Sequence, residues 1–583
     1  LADAAGGELD ESVVEELAAI KTVDGIVDWI VEHAAAKNAA AEKAAAAKAA
    51  NSDETGAERP AAEGEPVGGA RFPLRRFVVE PGPLPAVGTR GPALPGDGGP
   101  LAGGRFAVVE GGLGVGLEIA DLLEQAGATV RLLDVGAADL AEAVAGGVAA
   151  DGLLWVAALD AGAGSAAELP GAFAALRAAA LGGTRRLVLA SGLGGDFGRR
   201  GGAAVTDPAP VAGAGFAGFA RTLAHELPDV TVRVVDVDPK DAPRRIAESL
   251  LGELIAEHAP LVVGYRDGTR SALRVLPAEL AAQAQDAEPP LLDASSVVLL
   301  TGGARGITAK VALEIARRHG AHIELVGRTA PPAGPEDPAT AAATDAPALR
   351  RALIATGMRR PAEIEARVAR LLAEREVRAT LAELGRTAAG VRYHAVDVRD
   401  VVAVRAVVAD VYARHGRLDG VVHGAGVLED RLVKDKTPES FARVYSTKVD
   451  GARALLGALP RERSPRFVAL FGSVAGVFGN RGQVDYAAAN DTLDTLAHAH
   501  TGVLTASADP AGTPGRIVSV DWGPWRAEGG GMVSAELERE YARRGIGLIE
   551  PAEGVDALLR ELAAPTGPAQ VVYMCGEVDA FHG

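Results

Sequence analysis

From Phe106 onward, apolar runs of strand length alternate with stretches whose apolar residues recur every three to four positions. FAVVEGGLGVGLEIADLLEQAGATVRLLD (106–134) reads as strand, glycine turn, helix and strand. DGLLWVAAL (151–159), RRLVLASG (185–192) and VTVRVVDVDP (230–239) continue as strands, with a helix over AGFAGFARTLAHEL (214–227). After a polar, Pro-containing bridge at 276–293 the pattern restarts in SVVLLTGGARGITAKVALEIARRHGAHIELVGR (296–328). RYHAVDV (392–398), LDGVVHGAG (418–426), RFVALFGSVAG (466–476) and RIVSVDWGPW (516–525) supply later strands. Such alternation makes a parallel sheet flanked by helices. The fold class is therefore α/β, with two tandem Rossmann-like, doubly wound halves at 71–285 and 286–583.

The 68 residues between Arg328 and Asp397 are about twice what a strand–helix–strand link needs. They predict a helical insertion over about 329–390, with helices near 347–357 and 361–386. Upstream, Val13, Val14, Leu17, Ile20, Ile26, Trp29 and Ile30 fall at helical spacing within 1–36. Residues 37–70 are rich in Ala, Glu, Lys and Gly and read as a linker with too few large apolar residues for a core.

Composition narrows the function classes. A formal charge of −18, with no basic stripe, argues against nucleic acid as a partner. Cys575 is the single cysteine, so an intrachain disulfide and a Cys-cluster metal site are excluded, and a reducing cytoplasmic location is expected. No run of 18 apolar residues predicts a membrane span. The first residue is Leu and no signal peptide follows, which reads as a piece of a longer chain.

The chemistry concentrates in the second half. TGGARGIT (301–308) joins a strand to a helix, where glycines admit a pyrophosphate and the helix N-terminus offers free N–H groups. Thr301, Gly302, Gly303, Arg305, Gly306 and Ile307 are the candidate cofactor loop, with Thr308 where a further glycine is common. Arg328 ends the next strand, where a cation accommodates a 2′-phosphate; with Arg305 it favours NADPH. Asp397 and Val398 are placed beside the adenine, and Gly424 and Gly426 beside the cofactor backbone, with His423 as part of the wall.

Tyr486 is the candidate proton donor, and Ser473, at a strand end, the group that holds a carbonyl oxygen. A free phenol titrates near ~10, so a cation is needed beside it. Four residues after the Tyr stands Asn490, one helical turn away on the same face. The cation candidate is instead Lys448, in STKVDGARALL on the preceding helix.

TGGARGIT, VVHGAGVLED, STKVDGARALL, GNRGQVDYAAAN and VDWGPW together resemble the ketoreductase domains of modular polyketide synthases and animal-type fatty acid synthases. The helical insertion and the DWGPW…GGMVSAEL ending look closer still to ketoreductases of bacterial polyunsaturated fatty acid synthases. The resemblance implies a short-chain dehydrogenase/reductase fold whose first half is a noncatalytic structural subdomain. It implies Tyr486 as donor, Ser473 as carbonyl-orienting hydroxyl, Lys448 as pKa-lowering cation, Asn490 as support for a water relay and Pro524 beside the nicotinamide. It implies NADPH as cofactor and, as partners, an acyl carrier protein bearing a phosphopantetheine-linked β-ketoacyl chain and neighbouring synthase domains. Residues 1–36 resemble the last helices of a carrier domain lacking its phosphopantetheine Ser. Leu428, Glu429 and Asp430 match a stereocontrol motif with one conservative change, and Phe478 stands where the opposite class has Trp; both imply a D-configured (3R) hydroxyl.

In the first half GGLGVG (111–116) and Asp134 could suggest a second nucleotide site, but the glycine spacing misses G-x-G-x-x-G. Tyr265 is the one Tyr there, in an apparent strand, so this half is read as a brace. Two alternatives stay open: a free-standing carbonyl reductase, and a reductase-shaped scaffold that only docks carrier proteins.

Overall fold

A computed structural model describes residues 72–86, 99–145, 151–160, 162, 164–199, 211–280, 291–331, 334–460, 463–505, 515–526, 535–564 and 566–581. The expected carrier-like helices and the linker lie outside the described residues.

The described chain from 72 onward belongs to one compact unit, Gly69–Gly583. Its strands are β1 (Leu74–Pro83), β2 (Arg105–Glu110), β3 (Thr129–Asp134), β4 (Gly152–Trp155), β5 (Arg186–Ser191), β6 (Thr231–Asp236), β7 (Val262–Arg266) and β8 (Thr269–Pro277) in the first half. The second half contributes β9 (Val297–Thr301), β10 (His322–Gly327), β11 (Gly390–Ala395), β12 (Gly420–His423), β13 (Phe467–Ser473), β14 (Arg516–Trp522) and β15 (Gln570–Cys575). All fifteen form one sheet in the order β11-β10-β9-β12-β13-β14-β15-β1-β8-β7-β6-β5-β4-β2-β3. The second half is internally parallel, and the first is parallel from β2 to β7, with β8 antiparallel to both β7 and β1. Among the described residues no strand lies beyond β3 to match β11.

The expectation of two halves is met, but they are not two sheets. β1 pairs antiparallel with β15 on one side and β8 on the other, making the sheet continuous. The pattern missed β1, β8 and β15 for a physical reason. LRRFVVEPGP mixes arginines with prolines, and its partners lie hundreds of residues away, so little local signal marks it. The polar bridge is also shorter than read, because β8 runs through Pro277.

The core follows the joined sheet. Phe173 of the first half stacks on Phe441 of the second with ring centroids 4.2 Å apart, and Phe219 closes edge-on at 6.5 Å. The insertion holds helices Ala346–Ala355 and Pro361–Thr387, close to the predicted bounds. Leu349, Leu353, Ile364, Val368 and Leu371 form their small separate core.

Candidate active site

Strand order reverses between β9 and β12, the switch point at which α/β sheets bind ligands outside the strand C-termini. There Thr301 and His423 stand side by side, with the Thr301 hydroxyl 2.8 Å from His423 Nδ1. His423 Nε2 lies 2.8 Å from the Lys448 carbonyl, which can only accept, so Nε2 carries the proton and Nδ1 accepts from Thr301. Burial pushes this imidazole down to about 4, so it stays neutral. The unexpected Thr308 has its own explanation. A Cβ at Gly424 would lie 2.1 Å from Thr308 Oγ1, so the missing glycine of the loop is compensated by a glycine across from it.

At the start of helix Gly306–His319, the Gly306 N–H donates to Glu376 Oε1 at 2.6 Å, and Arg305 Nε to Oε2 at 3.0 Å. Glu376 comes from the insertion helix Pro361–Thr387. Its carboxylate lies where helix N–H groups draw an anion, which is the subsite a dinucleotide phosphate would take. The residues present therefore fit such a group: glycines at the turn, Arg305 exposed beside it, and Arg328 exposed at the end of β10. Arg328 is near enough to Asp397 to help lower its carboxyl, after the larger effect of Arg399, which holds Asp397 at 2.7 Å. Val398 is buried against Gly451, Ile307 packs on the core below the loop, and Gly426 faces the Lys448 stem. Pro524 follows β14, its carbonyl accepting from Ile549 N at 2.7 Å.

Three elements bring the catalytic candidates together. Ser473 ends β13, Lys448 projects from helix Pro438–Ala458, and Tyr486 and Asn490 share helix Val484–Thr505. Lys448 Nζ lies 5.0 Å from the Tyr486 ring centroid and donates to the Phe471 carbonyl at 2.6 Å. Asn490 Nδ2 donates to the Tyr486 carbonyl at 2.7 Å, while its buried Oδ1 has no hydrogen-bond partner among the described residues, leaving an acceptor for a water. Burial pushes the Tyr486 phenol up, and the Ser473 and Asn490 side chains facing it oppose that shift. Burial also pushes Lys448 down to about 8, against the attraction of buried Asp521 and Asp494 behind it. Those two carboxylates are tied by Gln570 Nε2, which donates to each at 2.7 Å.

The loop after β12 faces the same cluster. Arg443 donates to Glu429 at 2.6 and 2.7 Å and Ser440 at 2.7 Å, holding its carboxyl down to about 2. Asp430 accepts from Gln483 Nε2 at 3.0 Å and is close enough to raise the Tyr486 phenol. Leu428 is exposed. Phe478 is not part of this group: it is 5% exposed and stacks on Phe581 at 5.5 Å, inside the joint between the halves.

The sequence reading missed what the first half contributes. Helix Phe216–Glu226 lies along the catalytic helix and grips its approach loop. Arg221 donates to the Gly476 carbonyl at 2.6 Å, Thr222 accepts from Asn480 N at 3.2 Å, and His225 Nε2 lies 3.0 Å from the Phe478 carbonyl. Glu226 accepts from Gly482 N at 2.9 Å and from Val433 N at 2.5 Å, so one carboxylate ties both loops at the cleft. A signal existed: Arg221, Thr222, His225 and Glu226 form a polar stripe on one face of an otherwise apolar helix. At the first half's own glycine turn, a Cβ at Gly116 would meet Glu110 Oε2 at 2.1 Å, so the Glu110 side chain packs directly against the glycine at the start of the helix.

Fold and cluster define a Rossmann-type α/β protein of the short-chain dehydrogenase/reductase kind. Residues 296–527 match the family model described as KR domain, bearing out the resemblance to synthase ketoreductases. The chain is 31% identical over 370 residues to a polyunsaturated fatty acid synthase polypeptide from Thraustochytrium, covering 61% of this chain and 12% of that protein. It is 27% identical over 360 residues to the Bacillus subtilis polyketide synthase PksN, covering 61% of this chain and 6% of that one. The chain thus spans a small part of these relatives. A solved structure of A-type ketoreductases from a modular polyketide synthase aligns with TM-score 0.63 and 25% identity over 87% of this chain and 94% of its own. The first ketoreductase of the tylosin synthase aligns with TM-score 0.59 and 25% identity, over 87% and 93%. Such coverage exceeds the 296–527 segment and takes in the first half as well. Among the described residues no helix is long and apolar enough to cross a membrane.

Proposed function

We propose that this chain reduces a β-ketoacyl thioester, carried on the phosphopantetheine arm of an acyl carrier protein, to the β-hydroxyacyl thioester with NADPH. The neighbouring domains of a multidomain synthase are its expected partners, and the cytoplasm its expected compartment. The observation that carries this reading is the meeting of Tyr486, Lys448, Ser473 and Asn490 beside the glycine loop at the switch point.

NADPH, when bound, supplies hydride to the β-carbon. The protein's task is the oxygen. Ser473 holds it by a hydrogen bond, and Tyr486 donates the proton as negative charge develops. Lys448 stabilises the phenolate left behind, and the free Asn490 oxygen anchors a water that returns a proton to it. Arg305 and Arg328 are assigned the 2′-phosphate. Glu376 must then leave Arg305 and the Gly306 N–H.

The loop Leu428–Glu429–Asp430 is assigned the 3R outcome. Structures named as A-type and C2-type align almost equally well, with TM-scores of 0.63 and 0.60, so the choice rests on side chains at the loop rather than on the backbone fold.

The test is NADPH consumption with a carrier-bound β-ketoacyl substrate, followed by chiral chromatography of the alcohol. Turnover with mainly the 3R product is expected. A chain that binds NADPH but reduces no carrier-bound ketone would overturn the proposal in favour of a docking scaffold.

Two further outcomes follow from the charges. Arg328→Ala should raise the KM for NADPH by about tenfold to a hundredfold, the worth of one charge-assisted hydrogen bond, while barely changing the KM for NADH. An equal change for both cofactors would remove the 2′-phosphate assignment. The second outcome concerns pH. Lys448 loses its proton as pH rises through about 8, so kcat/KM for reduction should fall above that pH. An initial-rate profile that stays flat well above that pH would show that its charge is not required.

A further inference from the structure

Lys436 is a lysine that the proposed reduction does not use, yet it is 0% exposed. It stands at the end of the loop that begins with Leu428, just before helix Pro438–Ala458. Its ammonium reaches two oxygens. One is Asp485 Oδ2 at 2.7 Å, in an ion pair whose side chains are 0% and 2% exposed. The other is the main-chain carbonyl of Glu429. Asp485 in turn accepts the backbone N–H of Tyr486 at 2.8 Å through its other oxygen. A single chain of bonds thus runs from the backbone of the substrate-side loop to the backbone of Tyr486.

A lysine sealed from water is costly without a reason, and an apolar side chain of similar length would fill the same space. What an apolar side chain cannot do is hold the Glu429 carbonyl. The neighbouring Glu429 carboxylate is fixed separately by Arg443 and Ser440, and Asp430 is bonded to Gln483. With its backbone also tied to Asp485 through Lys436, the loop is fixed relative to the start of the catalytic helix.

We propose that Lys436 is a positioning and specificity-determining residue, which locks the 428–430 loop to the start of the catalytic helix and so decides which face of a ketone is turned to the hydride donor while its oxygen lies at Tyr486. This rests on the reductase reading above. The loop would present one side of the cleft to the acyl chain, and a loop freed to shift would admit the ketone in both orientations. Stereochemical outcome is therefore the readout that a merely structural lysine would not move.

The experiment uses the full chain and a β-ketoacyl pantetheine thioester, with the alcohols resolved by chiral chromatography. Lys436→Met combined with Asp485→Asn removes both charges together, leaves an oxygen to accept the Tyr486 N–H, and avoids stranding one buried ion. The ratio of major to minor alcohol should fall about tenfold in this variant, with NADPH binding and thermal midpoint retained. Lys436→Gln, whose amide can still donate to the carbonyl, should keep most of the native ratio. A folded double variant with an unchanged ratio would overturn the proposal. If the double variant does not fold, amide exchange across 428–436 in the native chain decides: protection matching the start of the catalytic helix supports the lock, and exchange at the rate of an open loop refutes it. A native chain that reduces nothing would defeat the reductase reading itself, and the exchange measurement would still test the lock.

Discussion

Tyr486→Phe is expected to lower the turnover number for ketone reduction by about a hundredfold to ten-thousandfold, the usual worth of a positioned proton donor. Two features make this the sharpest test of the proposed chemistry. The ring itself is kept, so the Lys448 ammonium 5.0 Å from its centroid loses little of its attraction. The backbone contacts of residue 486, to Asp485 and Asn490, do not involve the phenol. NADPH binding and thermal stability should therefore stay close to native while chemistry collapses. Fluorescence titration of the cofactor beside a single-turnover assay measures both. A variant that keeps more than a tenth of native turnover would mean that a water or Ser473 donates the proton instead.

The second large effect is expected far from any reacting atom. Gly218→Val should both destabilise the protein and cut activity. Gly218 sits inside helix Phe216–Glu226, where helix propensity alone would favour Ala by about 1 kcal/mol. The reason for glycine is close approach. A Cβ there would lie 2.3 Å from the Ala487 carbonyl oxygen, on the residue after Tyr486. Backbone cannot step aside as a flexible side chain can, so the helices must separate. Overpacking of this sort costs about 1–3 kcal/mol. A shift on the order of 1 Å at a catalytic group can cost about a hundredfold in rate. The control is Gly252→Ala, in helix Pro243–Ile255, where the added carbon meets nothing within 4 Å. That change should be neutral or slightly stabilising, by up to about 1 kcal/mol. Equal behaviour of the two variants in thermal melts and turnover would dismiss the view that the first half braces the catalytic helix.

Both predictions bear on how the two halves divide the work. In the first half Glu110 packs against Gly116 of the glycine turn, and helix Phe216–Glu226 holds Gly476, Asn480 and Gly482 in place. The first half thus sets the geometry of loops in the half proposed to carry the chemistry.

Much of this was legible along the chain because it depends on local order. Strand–glycine–helix units repeat with the periods of regular structure, so the α/β class, the two halves and the insertion helices could be read from apolar spacing. Tyr486 and Asn490 are one helical turn apart, and Thr301 to Ile307 are consecutive, so short-range geometry alone joins them. Lys448 and Ser473 could be named as candidates by residue type and element. Their arrival at the same phenol depends on β12 and β13 pairing in parallel and on helices packing over them.

What no local pattern carries is contact between residues distant in sequence. β1 becomes a strand because β15 and β8 leave it two edges to pair with, about 500 and 200 residues further on. Glu376 meets Gly306 across 70 residues, and Glu226 meets Gly482 across 256. Lys436 looks like one more surface lysine until its loop closes over Asp485. The fold class, the candidate cofactor loop and the candidate reactive side chains could be read residue by residue, because each rests on periodicity, short spacing or residue type. That the halves share one sheet, that the Glu376 carboxylate sits on the helix N-terminus of the glycine loop, and which buried charges hold the cleft were settled by folding alone, because those depend on burial and on pairings between distant segments.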